Sequence, residues 1–251
     1  MPEQTEKTMR GARLAQLVRW LLVLAVLSAA FVLSANRLVG TDWWWHVRTG
    51  EYIVEHGRVP RYDPFSFTAG GHRWVDQSWI SQIIFYRVDQ WFGHGGLVIF
   101  RALLITLAVA LALLAARARR VPLGLSAVLA LLAAVQLQKR SLVRPFLFSF
   151  IFFLLIFLVL DWLVRRLEAQ PVEARDAQPA VQPRRLALIA AGLCSLVWLW
   201  ANVHAAFPLG LALIGLFGLR IAILAATWRR RRPDLPLLRS EPVRVLAALI
   251  L

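Results

Sequence analysis

The stretch that decides the fold is FLFSFIFFLLIFLVLDWL, residues 146–163. Apart from Ser149 and Asp161, every side chain in it is aliphatic or aromatic. A helix of that length rises about 27 Å, close to the thickness of a bilayer's hydrocarbon core. A helix with no polar face has nothing to offer water, so the run predicts a membrane span. Working outward, similar runs occupy residues 17–35, 96–116, 121–137, 186–200 and 207–228, and another begins near Val243 and stops at Leu251. The expected fold is all-α: a polytopic transmembrane helix bundle of six spans plus the start of a seventh. A cytoplasmic N-terminus (residues 1–16) would precede a membrane domain (residues 17–251). A chain ending inside a span is expected to be the N-terminal piece of a longer protein.

Composition agrees with that reading. Of 251 residues, 59% are hydrophobic and 17% charged, yet the formal net charge is +15 and the mean hydropathy is +0.61. Such apolar content excludes intrinsic disorder and an ordinary soluble domain. The cations lie between apolar runs and not on one soluble face, which argues against a nucleic-acid partner. The single cysteine, Cys194, excludes an internal disulfide and a cysteine-based metal cluster, and its apolar context predicts a small packed hydrophobe.

Arginine and lysine set the orientation. Lys7, Arg10, Arg13 and Arg19 precede or open the first span. Arg117, Arg119 and Arg120 follow the second, Arg165, Arg166, Arg175, Arg184 and Arg185 follow the fourth, and residues 229–232 are all arginine. Every second loop is therefore expected in the cytoplasm, including a proline-rich linker over 165–185. Segments 36–95, 138–145 and 202–206 fall outside. The first run is longer than a signal-peptide core, so it reads as an uncleaved anchor. Asp161 and Arg165, four apart, can pair on one helix. Arg101 and Arg220, near span ends, can snorkel. Trp20, Trp91, Trp162, Trp198, Trp200 and Trp228 fall where an aromatic belt would lie.

The first exterior loop is the informative one. It holds six of the fourteen acids and four of the five histidines. Two helices are expected in it, over 42–56 and 76–92, with Thr41 or Asp42 capping the first, Asp76 capping the second, and Gly57 and Gly93 ending them. Both mix aromatic and charged residues, as helices lying along a membrane surface do. A turn-rich connector at 59–64 separates them.

Three polar clusters share the exterior side: Asp42, His46 and Arg48; Lys139, Arg140 and Arg144; and Asn202 with His204. A helix puts Asp42 and His46 on one face. The second cluster runs against the positive-inside trend, which points to an anion site, since guanidinium suits phosphate. Each cluster also has a plain structural reading, as a helix cap, a basic short loop or a satisfied polar residue. Asp42, His46 and His204 could offer oxygen and nitrogen to a divalent cation, but no dense metal-ligand spacing occurs, so no metal site is assigned and the cofactor stays open.

The residues TDWWWHVRTG (41–50), GRVP (57–60), DPFSFT (63–68), Trp74, QSWI (77–80), RPFLFSF (144–150) and WANVHAAFPLG (200–210) together resemble a group of bacterial polytopic proteins. That group is related to the C-type glycosyltransferases, which use polyprenyl-phosphate sugars. The resemblance covers about residues 36–215. It implies a multi-pass protein of the bacterial inner membrane with its N-terminus in the cytoplasm. It also implies an essential acid near the end of the first span, matched by Asp42, and two membrane-surface helices in the first exterior loop. The substrate-binding expectation covers His46, Arg48, Arg140, Arg144, Asn202 and His204, with a lipid-linked sugar donor and membrane lipids as partners. The alternative is a non-catalytic partner subunit or a lipid-linked glycan binder. A transporter is disfavoured, because the spans lack paired, broken segments with charges at mid-membrane.

Overall fold

A computed structural model describes residues 2–68, 70–139, 142–169, 180–231 and 241–250. The described residues form eight helices: α1 (Pro2–Ser34), α2 (Asp42–His56), α3 (Trp79–Ala118), α4 (Leu123–Lys139), α5 (Phe146–Ala169), α6 (Pro183–Val203), α7 (Pro208–Arg231) and α8 (Glu241–Ile250). The sole strand-like pairing among them is one antiparallel bridge, Tyr62 to Arg73. Five helical stretches are long and apolar enough to cross a bilayer: Met9–Ser34, Trp79–Ala118, Phe146–Ala169, Pro183–Val203 and Pro208–Trp228. The chain is thus a multi-pass helical membrane protein. The third expected span is the exception, because the apolar part of α4, Leu123–Leu137, rises only about 22 Å against a core near 30 Å.

The chain divides into two compact units, one of residues 1–75 with 79–147 and one of residues 76–78 with 148–251. In the first unit, α1, α3 and α4 pack against one another and α2 packs on α3. The three-helix contact is built from Val26 and Ala30 of α1, Val109 and Leu113 of α3, and Ala127, Ala130 and Ala134 of α4. Alanines let helix backbones approach where lipid supplies no hydrophobic drive for association. The outer face of α1 leaves Leu14, Leu17, Val18, Leu21 and Leu24 more than half exposed, as a lipid-facing surface requires.

Arg101 corrects an expectation. It does not snorkel; it is fully buried on α3. Its Nε and Nη2 donate to the Ser34 carbonyl at 3.2 and 2.9 Å, and Nη2 also reaches the Asn36 carbonyl and its side-chain oxygen. The last carbonyls of a helix have no partner within it, and Arg101 supplies one for the end of α1.

The elements of segment 36–95 follow from local chemistry. Gly57 ends α2 in the left-handed conformation (φ 64°) that glycine adopts without penalty. The expected second loop helix starts later than predicted, at Trp79. Asp76 closes a turn just before it by accepting from the Ser78 N–H at 3.0 Å. Gly93 (φ 63°, ψ −171°) breaks the 40-residue α3, so the expected stop appears as a kink between its two halves. Between α2 and α3 the chain doubles back as a small hairpin, with Asp63 N–H donating to His72 O at 2.8 Å and Trp74 N–H to Arg61 O at 2.9 Å. At its turn, hydrogen bonds from the Ser66 hydroxyl and from the Phe65 and Ser66 amides hold the Asp63 carboxyl below its usual range.

In the second unit, α7 and α6 both pack on α8. Asp161 and Arg165 pair at 2.8 Å as expected, and Arg220 meets Glu168 at 2.6 Å. Two belt tryptophans are corrected. Trp200 is fully buried and Trp228 nearly so, whereas Trp20, Trp91 and Trp198 remain exposed. Cys194 is exposed on α6 and is not a packed hydrophobe. Of the expected 165–185 linker, residues 165–169 continue α5, residues 183–185 open α6, and 170–179 lie outside the described residues.

Gly50 sets how closely α2 can approach α3. A Cβ there would fall 2.1 Å from the Gln82 carbonyl oxygen and 2.8 Å from the Tyr86 Cβ. Gly50→Ala should therefore destabilise the protein by about 1–3 kcal/mol, the usual cost of overpacking. Gly192→Ala, where a Cβ meets nothing within 4 Å, should not. Thermal unfolding of both variants in the same detergent checks this.

Candidate functional site

The residues singled out in segment 36–95 start from α2. Thr41 occupies its N-cap position but makes no side-chain capping bond. Asp42, the first helical residue, does not cap either. Its carboxylate pairs with the guanidinium of Arg144. These residues lie far apart in the chain and belonged to separate expected clusters. The link between them runs through α3 and α4. The chain leaves the Asp42 end of the unit along α3 and returns along α4, and the Leu142 side chain then lies 3.6 Å from where a Cβ on Gly40 would stand. Buried Val143 and Leu147 hold the backbone on either side of Arg144.

The pair is only half buried, with Asp42 47% and Arg144 42% exposed. Its buried side is unsatisfied. The Arg144 Nε is shut off from the surroundings and has no hydrogen-bond partner among the described residues. A buried donor without an acceptor costs about 1–3 kcal/mol, so the guanidinium has unused binding capacity.

His46 is partly buried one turn along α2, with its ring 6.1 Å from that of Phe85. Arg48 does not join Asp42. It pairs with Glu51 along the helix and lies over the Trp44 ring at 5.8 Å. Arg140 lies outside the described residues, and Lys139 is the last residue of α4. The three tryptophans after Asp42 split. Trp43 and Trp44 meet His94 edge-on at 4.8 and 6.3 Å, and His94 is paired with Asp89 at 2.6 Å. Trp45 instead joins Phe65 and Trp74 at 5.1 and 6.1 Å. This aromatic contact of His94 was not among the sequence expectations. Its one sequence signal was its place beside Gly93.

The second unit carries its own polar centre. His204 follows the end of α6 and is fixed through Nδ1, which accepts from the Ala206 N–H at 3.3 Å. An acceptor carries no proton, so the Ser149 hydroxyl, 2.9 Å from the same nitrogen, must donate to it. Ser149 in turn accepts from the Trp200 indole N–H at 2.8 Å. The relay runs from indole to hydroxyl to imidazole and leaves the His204 proton on Nε2. Trp200 is stacked on Phe152 at 5.8 Å. Gly210 makes room for it, since a Cβ there would stand 2.7 Å from the indole ring. Sequence reasoning named His204 but missed Ser149, the lone hydroxyl in an aromatic run, and Trp200, one helical turn earlier. Asn202 turns back to the Trp198 carbonyl at 2.8 Å. Among the described residues, no three His, Cys, Asp or Glu side chains come together as a metal site would need.

Burial holds the His204 imidazole below its usual value of 6.5. The unfolded chain therefore takes up this proton first as pH falls. The neutral ring's contribution to stability is complete above about pH 6.5 and is lost below it. Between pH 7.5 and pH 5.5 the wild-type melting temperature should fall further than that of His204→Gln, measured in the same detergent. Equal falls would show that His204 does not titrate in this way.

Comparison with protein-family models, with curated proteins and with solved structures gives no match to this chain.

Proposed function

We propose that this chain is the membrane part of a glycosyltransferase. It would take a sugar from a polyprenyl-phosphate donor and pass it to an acceptor on the exterior side of the bacterial inner membrane. The observation that carries the reading is the meeting of Asp42 with Arg144. A carboxylate able to take a proton and a guanidinium able to hold a phosphate share one half-open place at the end of the first span. In the reaction, the acceptor oxygen attacks the anomeric carbon while its proton passes to the Asp42 carboxylate. The bond from that carbon to the phosphate oxygen breaks, and the phosphate leaves with the electron pair. Arg144 stabilises the charge that develops on it. The transition state is oxocarbenium-like, as in other glycosyl chemistry.

The topology belongs to the same proposal. We read α4 as a sixth crossing despite its length, because the unit needs Arg144 back beside Asp42 while Arg117, Arg119 and Arg120 stay in the cytoplasm with the N-terminus. α2 and the first half of α3 are read as surface helices, with Trp91 and Phe92 exposed toward the lipid interface. With Cys194 replaced by serine, a cysteine at position 119 should resist a membrane-impermeant maleimide in intact cells and one at position 142 should react. The reverse pattern, or equal labelling, would remove α4 as a crossing.

The same ion pair favours a second reading, a non-catalytic partner subunit or lipid-linked glycan binder, in which Asp42 and Arg144 merely staple the first unit. The two readings part on Asp42→Asn. As a base, its loss should lower glycan transfer by about a hundredfold or more at unchanged membrane levels. As a staple, it should leave glycan profiles as they were. Radiolabelled sugar transfer in membranes carrying either form decides between them.

A further inference from the structure

We propose that Arg144 is an exchange site for a phosphate oxyanion: without ligand it holds Asp42, and an incoming phosphate takes the guanidinium over and sets the carboxylate free. The inference rests on the glycosyltransferase reading for its purpose but not for its chemistry. A guanidinium offers five N–H donors, and its Nε with one terminal nitrogen forms a side-on fork that suits two oxygens of one anion. Asp42 meets Nη2 and leaves Nε buried without an acceptor. The carboxylate thus uses the guanidinium incompletely. A phosphate with two free oxygens that takes the place of Asp42 on Nη2 can, once the carboxylate has swung away and opened that side, reach Nε as well, supplying the acceptor that the buried donor lacks.

Displacing Asp42 is cheap for two reasons on the page. Both partners are nearly half exposed, so water already screens their attraction. Asp42 also sits at the first position of α2, where its side chain can turn away without disturbing a capping bond, because it makes none. Arg144, by contrast, is held between buried neighbours, Val143 and Leu147. The mobile partner is therefore the acid, and the fixed partner is the anion site. A further consequence is order. The acid is neutralised while the site is empty and becomes an available base only once a phosphate is seated.

The test is a binding measurement on the full chain in nanodiscs, with polyprenyl phosphate in the bilayer as one probe and inorganic phosphate in the buffer as the other. Removing the competing carboxylate should tighten binding. Asp42→Asn, and Asp42→Ser as a second variant against misfolding, should bind polyprenyl phosphate about two- to fivefold more tightly, the scale of an exposed ion pair. Arg144→Gln should weaken binding about tenfold or more, and Arg144→Lys, which lacks the side-on fork, should not restore it. Tightening for the lipid alone makes the ligand a lipid headgroup, and equal tightening for inorganic phosphate makes it a free phosphate; both support exchange. Unchanged or weaker binding by both Asp42 variants, with their melting temperatures intact, overturns it. If transfer is lost in Asp42→Asn while binding does not tighten, the glycosyltransferase reading survives and the exchange falls. If binding tightens but wild type transfers no sugar, the reverse holds.

Discussion

The first unit depends on Arg101. A helix that ends inside or near a bilayer leaves carbonyl groups that lipid cannot satisfy, and each unmet group is costly. Arg101 brings a fully buried guanidinium from α3 to the end of α1 and donates to Ser34 and Asn36 there. The bonds are charge-assisted and converge from a rigid fork, so they pin the direction in which the chain leaves α1 as well as satisfying it. Residues 37–41 and the start of α2 follow from that fixed point. The position of Asp42 is thus set by a residue far along the chain that takes no part in its chemistry.

A second constraint acts from the other side of α2. Gly50 lets the helix lie directly against the Gln82 backbone, and Val47 and Ile53 of α2 and Phe85 of α3 are buried. Arg144 arrives by another route, through the alanine-lined packing of α4 on α1 and α3. The acid and the cation meet through separately packed helices, and no local motif joins them. In the second unit the Trp200, Ser149 and His204 relay gives a comparably fixed polar centre, oriented by hydrogen bonds and screened by an aromatic stack.

Much of the architecture was legible in sequence because apolar length and charge between spans are local properties. The run at 146–163, the stop at Gly57, the break at Gly93 and the Asp161–Arg165 pair all follow from residues within one or two turns. The misreadings share one cause. Trp200 and Trp228 look interfacial by position, Cys194 looks packed by its neighbours, and Arg101 looks able to snorkel. In a helix that is apolar all round, the sequence marks no difference between the face that meets lipid and the face that meets protein.

The sequence by itself determined that the chain is a multi-pass helical membrane protein and which residue types gather between its first two long apolar runs. Tertiary structure alone decided that Asp42 faces Arg144 and not its own helix, and that His204 is wired to Trp200 through Ser149. The physical reason is range. Hydrophobic length acts along a single segment, whereas an ion pair or a hydrogen-bond relay needs two segments brought within a few ångströms, and their approach is set by small residues and buried polar groups elsewhere in the fold.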